Sequence, residues 1–425
     1  MGREKITVNE CYCQEQQEHL LLTEYRYLWR LKMKVVIAGT GCGHRTLTSR
    51  AYEAVCKAEI CIGAGRVLKE LPDTSAERIQ EYRPHEIAAI LKERKPENAC
   101  VLVSGDSGFY SGAAGLLPLL EENGIEAEVL PGISSLQYFS SKIKKPWQDW
   151  NIASAHGVDC DPVYEIMKAK PVFFLTGGAK SACYICEALA GAGLGALGVT
   201  IGENLGTEGE KITEITAAEG AGYAFSELNV LLVDRAPLYQ KRTPGIPDDA
   251  FIRGKVPMTK QEVRAVILSK LGVTDEDVCW DIGAGTGSVS VELALCSRSV
   301  WAVERKAEAI ELMERNRSKF CAWNMHIVCA EAPCGMDELP APDAVFVGGS
   351  SGQLASIIDM AHRANPKAKV CISAVTLETL NEAVTCLEGL GYTTSVTQVS
   401  VSRTRKVGAL HMMDAQNPVF LISGS

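Results

Sequence analysis

From residue 34 onward, short apolar runs alternate with longer stretches whose apolar positions recur at helical spacing. Runs at 34–38, 60–62, 99–103 and 127–130 have the length of buried strands, whereas 46–57 places Ala51, Ala54 and Val55 on one helical face. Each strand-like run is followed by a turn rich in Gly, Ser or Pro and then by a helix, so the pattern predicts βα repetition and a largely parallel sheet. A second set starts around 149–155 and continues through 171–175, 198–202 and 229–233, with a helix across 182–192. A third set has strands at 278–282, 300–303, 326–329, 344–347 and 369–374, with helices over 289–295 and 379–390. Its last two strands, 393–402 and 418–423, have no helix between them, which predicts a doubly wound sheet with an antiparallel edge strand.

Between the second and third sets, 237–255 carries Pro237, Pro244, Gly245, Pro247 and Gly254 and reads as a linker. The expected division is an extension at 1–32, a domain at 33–238 with lobes 33–148 and 149–238, a linker at 239–258 and a domain at 259–425. A chain of 425 residues suits this count, and 46% hydrophobic with 22% charged residues is ordinary for a globular protein. The net charge of −9 argues against a nucleic-acid partner, so any polyanionic small molecule must be met by local Arg and Lys.

Most of the 16 cysteines, among them Cys100, Cys279, Cys329 and Cys371, sit in apolar runs and read as small buried hydrophobes in a reducing cytoplasm. Cys183 and Cys186 lack a second pair, Cys11 and Cys13 are equally unsupported, and no Cys/His spacing suits a metal. No apolar run approaches the roughly 18 residues of a membrane span, and 1–32 offers no signal-peptide core.

Two glycine turns follow strand-like runs: AGTGCGH at 38–44 and WDIGAGTGS at 280–288. Glycine lets backbone N–H groups approach a ligand with no side chain in the way. Neither turn completes the dinucleotide pattern G-x-G-x-x-G, because His44 and Ser288 occupy the sixth position. A nucleoside without pyrophosphate suits such turns. In the C-terminal set, the strand after the turn ends at Glu304, whose carboxylate can accept hydrogen bonds from two ribose hydroxyls. The next ends before Ala330-Glu331-Ala332-Pro333, placed to flank a base. Thr259-Lys-Gln-Glu262 fits a capping box. The loop 348–352 should face the substrate, and Arg403 and Arg405, near the end of the penultimate strand, suit a clamp for carboxylates. In the N-terminal half, SGDSGFYSG (104–112), PGISSLQYF (131–139), SAHG (154–157), LTGG (175–178) and GENLG (202–206) each follow an expected strand and would gather at one rim.

The C-terminal turn resembles that of the class I methyltransferases, which use S-adenosyl-L-methionine. With PDDAFIRGKVPMTKQEVR (247–264), DAVFVGGSSGQL (343–354) and AVTLETL (374–380), the resemblance becomes one to the decarboxylating C15-methyltransferases of the corrin pathway. It implies cofactor contacts by Thr259, Gly283, Ala284, Gly285, Thr286, Gly287, Glu304, Glu331 and Ala332. Substrate contacts would come from Gly349, Ser350, Arg403 and Arg405. Glu331 stands where that family usually has Asp. The N-terminal motifs resemble the tetrapyrrole methylases, and among them the C5-methyltransferases of the same pathway, whose cofactor lies between two α/β lobes. This implies cofactor contacts by Gly39, Gly41, Gly43, Gly105, Asp106, Ser134 and Ser135, and a substrate contact by His156; Arg45 and Arg66, near expected strand ends, are candidates to meet substrate carboxylates. Cys42 and His44 stand where relatives often show Pro and Asp, and Ser107 where Pro is frequent.

Together the halves resemble fused C5,C15-methyltransferases. The resemblance implies an S-adenosyl-L-methionine site in each domain, a tetrapyrrole substrate and self-association. The abundance of cysteine leans towards an anaerobic cell and a cobalt-containing substrate. An oxidoreductase with two nicotinamide sites is a rival that the missing third glycines oppose. A non-catalytic nucleoside-binding regulator is another, opposed by the full loop sets in both halves.

Overall fold

The computed structural model describes residues 33–156, 160–178, 180–239 and 244–425. The extension expected at 1–32, Gly157 of SAHG and positions 240–243 of the linker lie outside them.

The first lobe is built on β1 (Lys34–Gly39), β2 (Ile60–Gly63), β3 (Glu77–Gln80), β4 (Asn98–Val103) and β5 (Ala127–Leu130). They form one parallel sheet in the order β3-β2-β4-β1-β5. Successive residues of β1 point to opposite faces: Val35 and Ile37 pack into one core cluster and Ala38 into the other. A sheet buried on both faces explains the unbroken apolar runs in its central strands. Edge strand β3 has the sequence ERIQ and is mostly exposed, so it left no apolar run to read.

The second lobe contains β6 (Asn151–Ser154), β7 (Val172–Leu175), β8 (Gly198–Glu203), β9 (Lys211–Thr216) and β10 (Asn229–Val233), in the order β6-β7-β10-β8-β9. This sheet is mixed, unlike the parallel one of the first lobe. Only β6 and β7 run parallel, because β8 returns directly into β9 as a hairpin and β10 inserts antiparallel between β7 and β8.

The C-terminal sheet holds β11 (Val278–Ile282), β12 (Ser299–Glu304), β13 (Met325–Cys329), β14 (Ala344–Val347), β15 (Lys369–Ala374), β16 (Thr394–Val399) and, after a separate hairpin of β17 (Ser402–Val407) and β18 (Leu410–Ala415), β19 (Val419–Gly424). Its order is β13-β12-β11-β14-β15-β19-β16. The strand antiparallel to its neighbours, β19, lies one place in from the edge, and β16 forms the edge itself. Residues 402–406, expected near the end of the penultimate strand, are instead the first arm of the exposed β17–β18 hairpin. Cys100, Cys279 and Cys371 are buried as expected, but Cys329 is exposed. Among the described residues no helix is long and apolar enough to cross a membrane.

Much of the expected linker is folded onto the C-terminal domain. Ile246 and Phe251 belong to its core cluster. The Arg264 side chain, with no solvent exposure, donates through Nε to Glu292 at 2.7 Å and through Nη1 to Asp248 at 2.9 Å. Glu292 also accepts from the backbone N–H of Gly245 at 2.7 Å and of Ile246 at 3.2 Å. The capping box expected at Thr259 does not form. The helix Gln261–Leu271 begins after Lys260, and Asp248 instead accepts the Gln261 N–H at 2.9 Å. A carboxylate already drawn in by two guanidinium groups is the stronger acceptor for that amide.

The two halves touch through Trp323, which packs into the core of the second lobe and donates from Nε1 to the Pro237 carbonyl at 3.0 Å. Beside it, the Tyr164 hydroxyl donates to Glu276 at 3.2 Å.

Candidate functional site

Between the two N-terminal lobes lies a cleft of about 520 Å³. That is within the roughly 300–1,000 Å³ usual for small-molecule sites. Gly41, Gly43, Arg66, Gly105, Asp106, Ser135 and His156 all line it, and strand-end loops from both lobes close it. Gly41 and Gly105 exchange two backbone hydrogen bonds of 3.0 Å, which ties the first turn to the second. Gly39 sits behind them: a Cβ there would lie 2.7 Å from the Gly105 carbonyl oxygen. Gly43, at φ 91°, approaches Gly206 of the second lobe so closely that a Cβ would lie 2.4 Å from its carbonyl oxygen.

Several expected contact residues hold the loops themselves. Asp106 accepts from the N–H of Gly132 at 2.9 Å and of Gly108 at 3.0 Å, so both its oxygens are committed to loop geometry. Ser134 caps the helix Ser135–Ile143 in a capping box with Gln137. Arg66 reaches Ser104 Oγ at 3.3 Å, whereas Arg45 is exposed and does not line the cleft. The His156 ring packs on Gly177, where a Cβ would come within 1.7 Å of Nδ1. Burial pushes the Cys42 thiol up to about 11, outweighing the nearby Arg66, so it is not a thiolate nucleophile at neutral pH. Sequence reading placed Thr176 in the LTGG turn without a role and did not single out Asn229; both line the cleft. The Thr176 hydroxyl donates to Asn229 at 2.6 Å. Asn229 opens β10 and had no motif to mark it.

In the C-terminal half, Gly283, Gly285 and Gly287 adopt φ of 70°, 57° and 73°. Gly283 and Gly287 are required by contact: a Cβ would lie 2.4 Å from the Gly349 carbonyl oxygen and 2.5 Å from Met313 Cγ, respectively. Gly285 has more room, and its N–H donates to Glu304 Oε2 at 3.0 Å. Glu304 Oε1 accepts from the N–H groups of Arg305 and Lys306, each at 2.9 Å. The carboxylate is thus fixed by three backbone amides at the carboxyl end of β12, where ligands of open α/β sheets bind. It retains acceptor capacity for vicinal hydroxyls, so this acceptor fits the ribose of S-adenosylmethionine.

The Ala284 N–H bonds the Val303 carbonyl at 3.2 Å. Thr286 is buried, with its Oγ1 unpartnered, and Ala332 packs against the core. Glu331 points outward and pairs with Arg305. Gly349 is exposed beside Gly283, and the Ser350 carbonyl accepts from the Gln353 N–H at 2.9 Å. Arg403 is engaged within the protein. It pairs with Glu262 and, at 2.8 Å, with Asp248, and these carboxylates raise its pKa further. It therefore ties the β17–β18 hairpin to the domain. Arg405 is exposed and lies 3.7 Å from Asp414.

Asp281, at the foot of the turn, is fully buried and hydrogen-bonded by the Ser290 hydroxyl, with its second oxygen unpartnered. Burial pushes its carboxyl up to about 7, against the lowering effect of Ser290. The folded state therefore keeps a proton that the unfolded chain loses nearer pH 4. The stability this contributes is complete at low pH and is lost as pH rises through about 7. Asp281→Asn should gain in urea midpoint relative to the parent as pH goes from about 5 to about 8. A constant offset across that range would contradict the assignment.

Among the described residues no group of three or more His, Cys, Asp or Glu is placed to hold a metal ion.

A glycine-lined cleft between the N-terminal lobes, and a glycine turn beside a fixed carboxylate at the carboxyl end of β12, are the arrangement of an enzyme that holds a small cosubstrate against backbone amides. Residues 34–221 match the model of the tetrapyrrole (corrin/porphyrin) methylases and 249–424 that of the precorrin methyltransferase domain. The probable cobalt-precorrin-6B C(15)-methyltransferase (decarboxylating) of Pyrobaculum calidifontis is 45% identical over 186 residues, 43% of this chain and 95% of the relative. The cobalt-precorrin-6B C(15)-methyltransferase (decarboxylating) of Salmonella typhimurium is 40% identical over 181 residues, 41% of this chain and 93% of the relative. A crystal structure of precorrin-6y C5,15-methyltransferase from Geobacter metallireducens is 44% identical, covering 44% of this chain and 98% of that one, with a TM-score of 0.42. The chain belongs to the precorrin methyltransferase family, enzymes of cobalamin biosynthesis that take their methyl group from S-adenosylmethionine.

Proposed function

We propose that each half binds its own S-adenosylmethionine. In this reading the C-terminal half methylates C15 of a precorrin ring with decarboxylation of a ring acetate, and the N-terminal half methylates C5. The observation that carries the reading is a complete counterpart of decarboxylating C15-methyltransferases, aligned over nearly their whole length, beside a tetrapyrrole methylase domain in the same chain. We place the division between the halves ahead of Gly245, because the chain from Gly245 onward is anchored by Glu292 and Arg264. A cobalt-containing ring, a cytoplasmic location and self-association belong to the same proposal. Exposed Leu410 and Met413 on the β17–β18 hairpin support the last.

S-adenosylmethionine supplies, when bound, a methyl group activated by the adjoining sulfonium charge. The protein's contribution is position and exclusion of water. Holding a nucleophilic ring carbon in line with that methyl contributes up to roughly 7–11 kcal/mol in favourable cases. Glu304 and the Gly283–Gly287 turn orient the nucleoside in the second site. In the first, the Gly41–Gly105 pair does so, while Arg66 and His156 line the same cleft and would meet substrate carboxylates. No side chain is required as a strong base, because the reduced ring is itself electron-rich and can accept the electron pair of the departing carboxylate.

The test is the intact chain incubated with methyl-labelled S-adenosylmethionine and a metal-free or cobalt-loaded ring. The expected product carries labelled methyl groups at C5 and C15 and has lost one carboxyl. A product labelled at one position only would remove one half of the proposal.

A further inference from the structure

At the other end of the C-terminal sheet from Glu304 lies a second cavity, of about 630 Å³, walled by both halves of the chain. Val278, Ser299 and Met325 bring the amino-end positions of β11, β12 and β13 to its wall, so it is separate from the N-terminal cleft and from the glycine turn beside Glu304. Its opposite wall comes from Asp161–Val163 and the helix Ala182–Leu189 of the second lobe.

The chemistry of this cavity is one-sided. Trp301 Nε1 and Arg317 Nε are buried and have no hydrogen-bond partner. Neither Arg298 nor Arg317 forms an ion pair among the described residues. Arg298 lies over the Tyr164 ring at 5.7 Å, and Arg317 makes a long 3.4 Å bond to the Met325 carbonyl. Asp161, the carboxylate on the wall, accepts through Oδ1 from the N–H groups of Val163 and Tyr164 at 3.0 and 3.2 Å, which leaves Oδ2 as its one uncommitted oxygen. Donors therefore outnumber acceptors, and unpaired buried donors cost free energy until an acceptor reaches them. The wall is also flat and aromatic. Trp301 and His326 stack with centroids 4.3 Å apart and ring planes 16° apart, and Trp323 and Tyr184 complete it. Burial pulls His326 below its ordinary value, so it presents a neutral ring.

We propose that this interdomain cavity is a binding site for a flat aromatic anion, whose ring lies against Trp301 and whose carboxylate, sulfonate or phosphate is held by Arg298 and Arg317. A single occupant would touch both halves and couple them. The proposal does not depend on which reaction either half catalyses.

Anilinonaphthalene sulfonate is the probe, titrated into the full chain with saturating S-adenosylhomocysteine to fill the nucleoside sites. The expected result is one saturable site with energy transfer from tryptophan to the probe. Arg298→Gln and Arg317→Gln should each weaken it about tenfold or more, the effect of losing one charge-assisted hydrogen bond. Trp301→Phe keeps both charges and should lower the energy transfer, which guards against an arginine variant that fails to fold. Absence of saturable binding, or binding unchanged by both arginine substitutions, would overturn the proposal. So would binding abolished by Arg66→Gln, which would put the probe in the methylase cleft. Displacement by inorganic phosphate as effectively as by naphthoate would overturn the requirement for a flat ring.

Discussion

Arg264→Met lowers the stability of the C-terminal domain by about 3–5 kcal/mol, the usual consequence of removing one partner from a buried ion pair. The cause is what remains. Glu292 and Asp248 are both almost fully buried and would lose the guanidinium that neutralises them. Glu292 would keep the two backbone amides of Gly245 and Ile246, and Asp248 would keep Arg403 and Gln261. Methionine fills much of the volume, so the loss is electrostatic rather than a cavity effect. In scanning calorimetry the transition of the C-terminal domain should fall by roughly 10 °C, at about 2–4 °C per kcal/mol for a domain of this size. The N-terminal transition should hold its position. A shift of both transitions together would show that the halves unfold as one unit, and no shift would contradict the role given to Arg264.

Glu304→Gln weakens S-adenosylmethionine binding at the C-terminal site by about a hundredfold, on the scale of one or two charge-assisted hydrogen bonds. Glutamine has nearly the same shape, but one of its ends is a donor. Whichever way it turns, it must direct N–H groups at Gly285 or at the amides of Arg305 and Lys306. The turn loosens and the ribose loses a charged acceptor in one change. The N-terminal site, in a separate sheet, should keep its affinity. Calorimetry separates the two sites by their different response. Equal weakening at both would mean that Glu304 acts through overall folding.

The sequence showed the architecture wherever burial imposes a pattern. Central strands such as β4 and β11 are apolar runs because helices cover both their faces. Strands β3, β9, β17 and β18 carry charged or alternating residues at exposed edges and left no such trace. The direction of β10 and the internal place of β19 are decided by pairing between distant segments, which local periodicity does not encode.

The candidate sites were legible as glycine turns, since a positive φ or a close backbone approach admits little else. The division of labour within them was not. Asp106 and Ser134 stand in the motifs but spend their polar atoms on Gly108, Gly132 and Gln137. Arg403, an obvious carboxylate clamp by composition, meets carboxylates of its own chain more than a hundred residues away. Asp248 displaces Thr259 as the cap of its helix for the same reason: the competing partner is brought in by the tertiary fold.

That one polypeptide houses a methyl donor in either half is most directly tested by calorimetric titration of the entire protein with S-adenosylhomocysteine. Two sites per chain are expected, falling to one at the same ligand range in Glu304→Gln. A single site in the parent protein, untouched by that substitution, would contradict it.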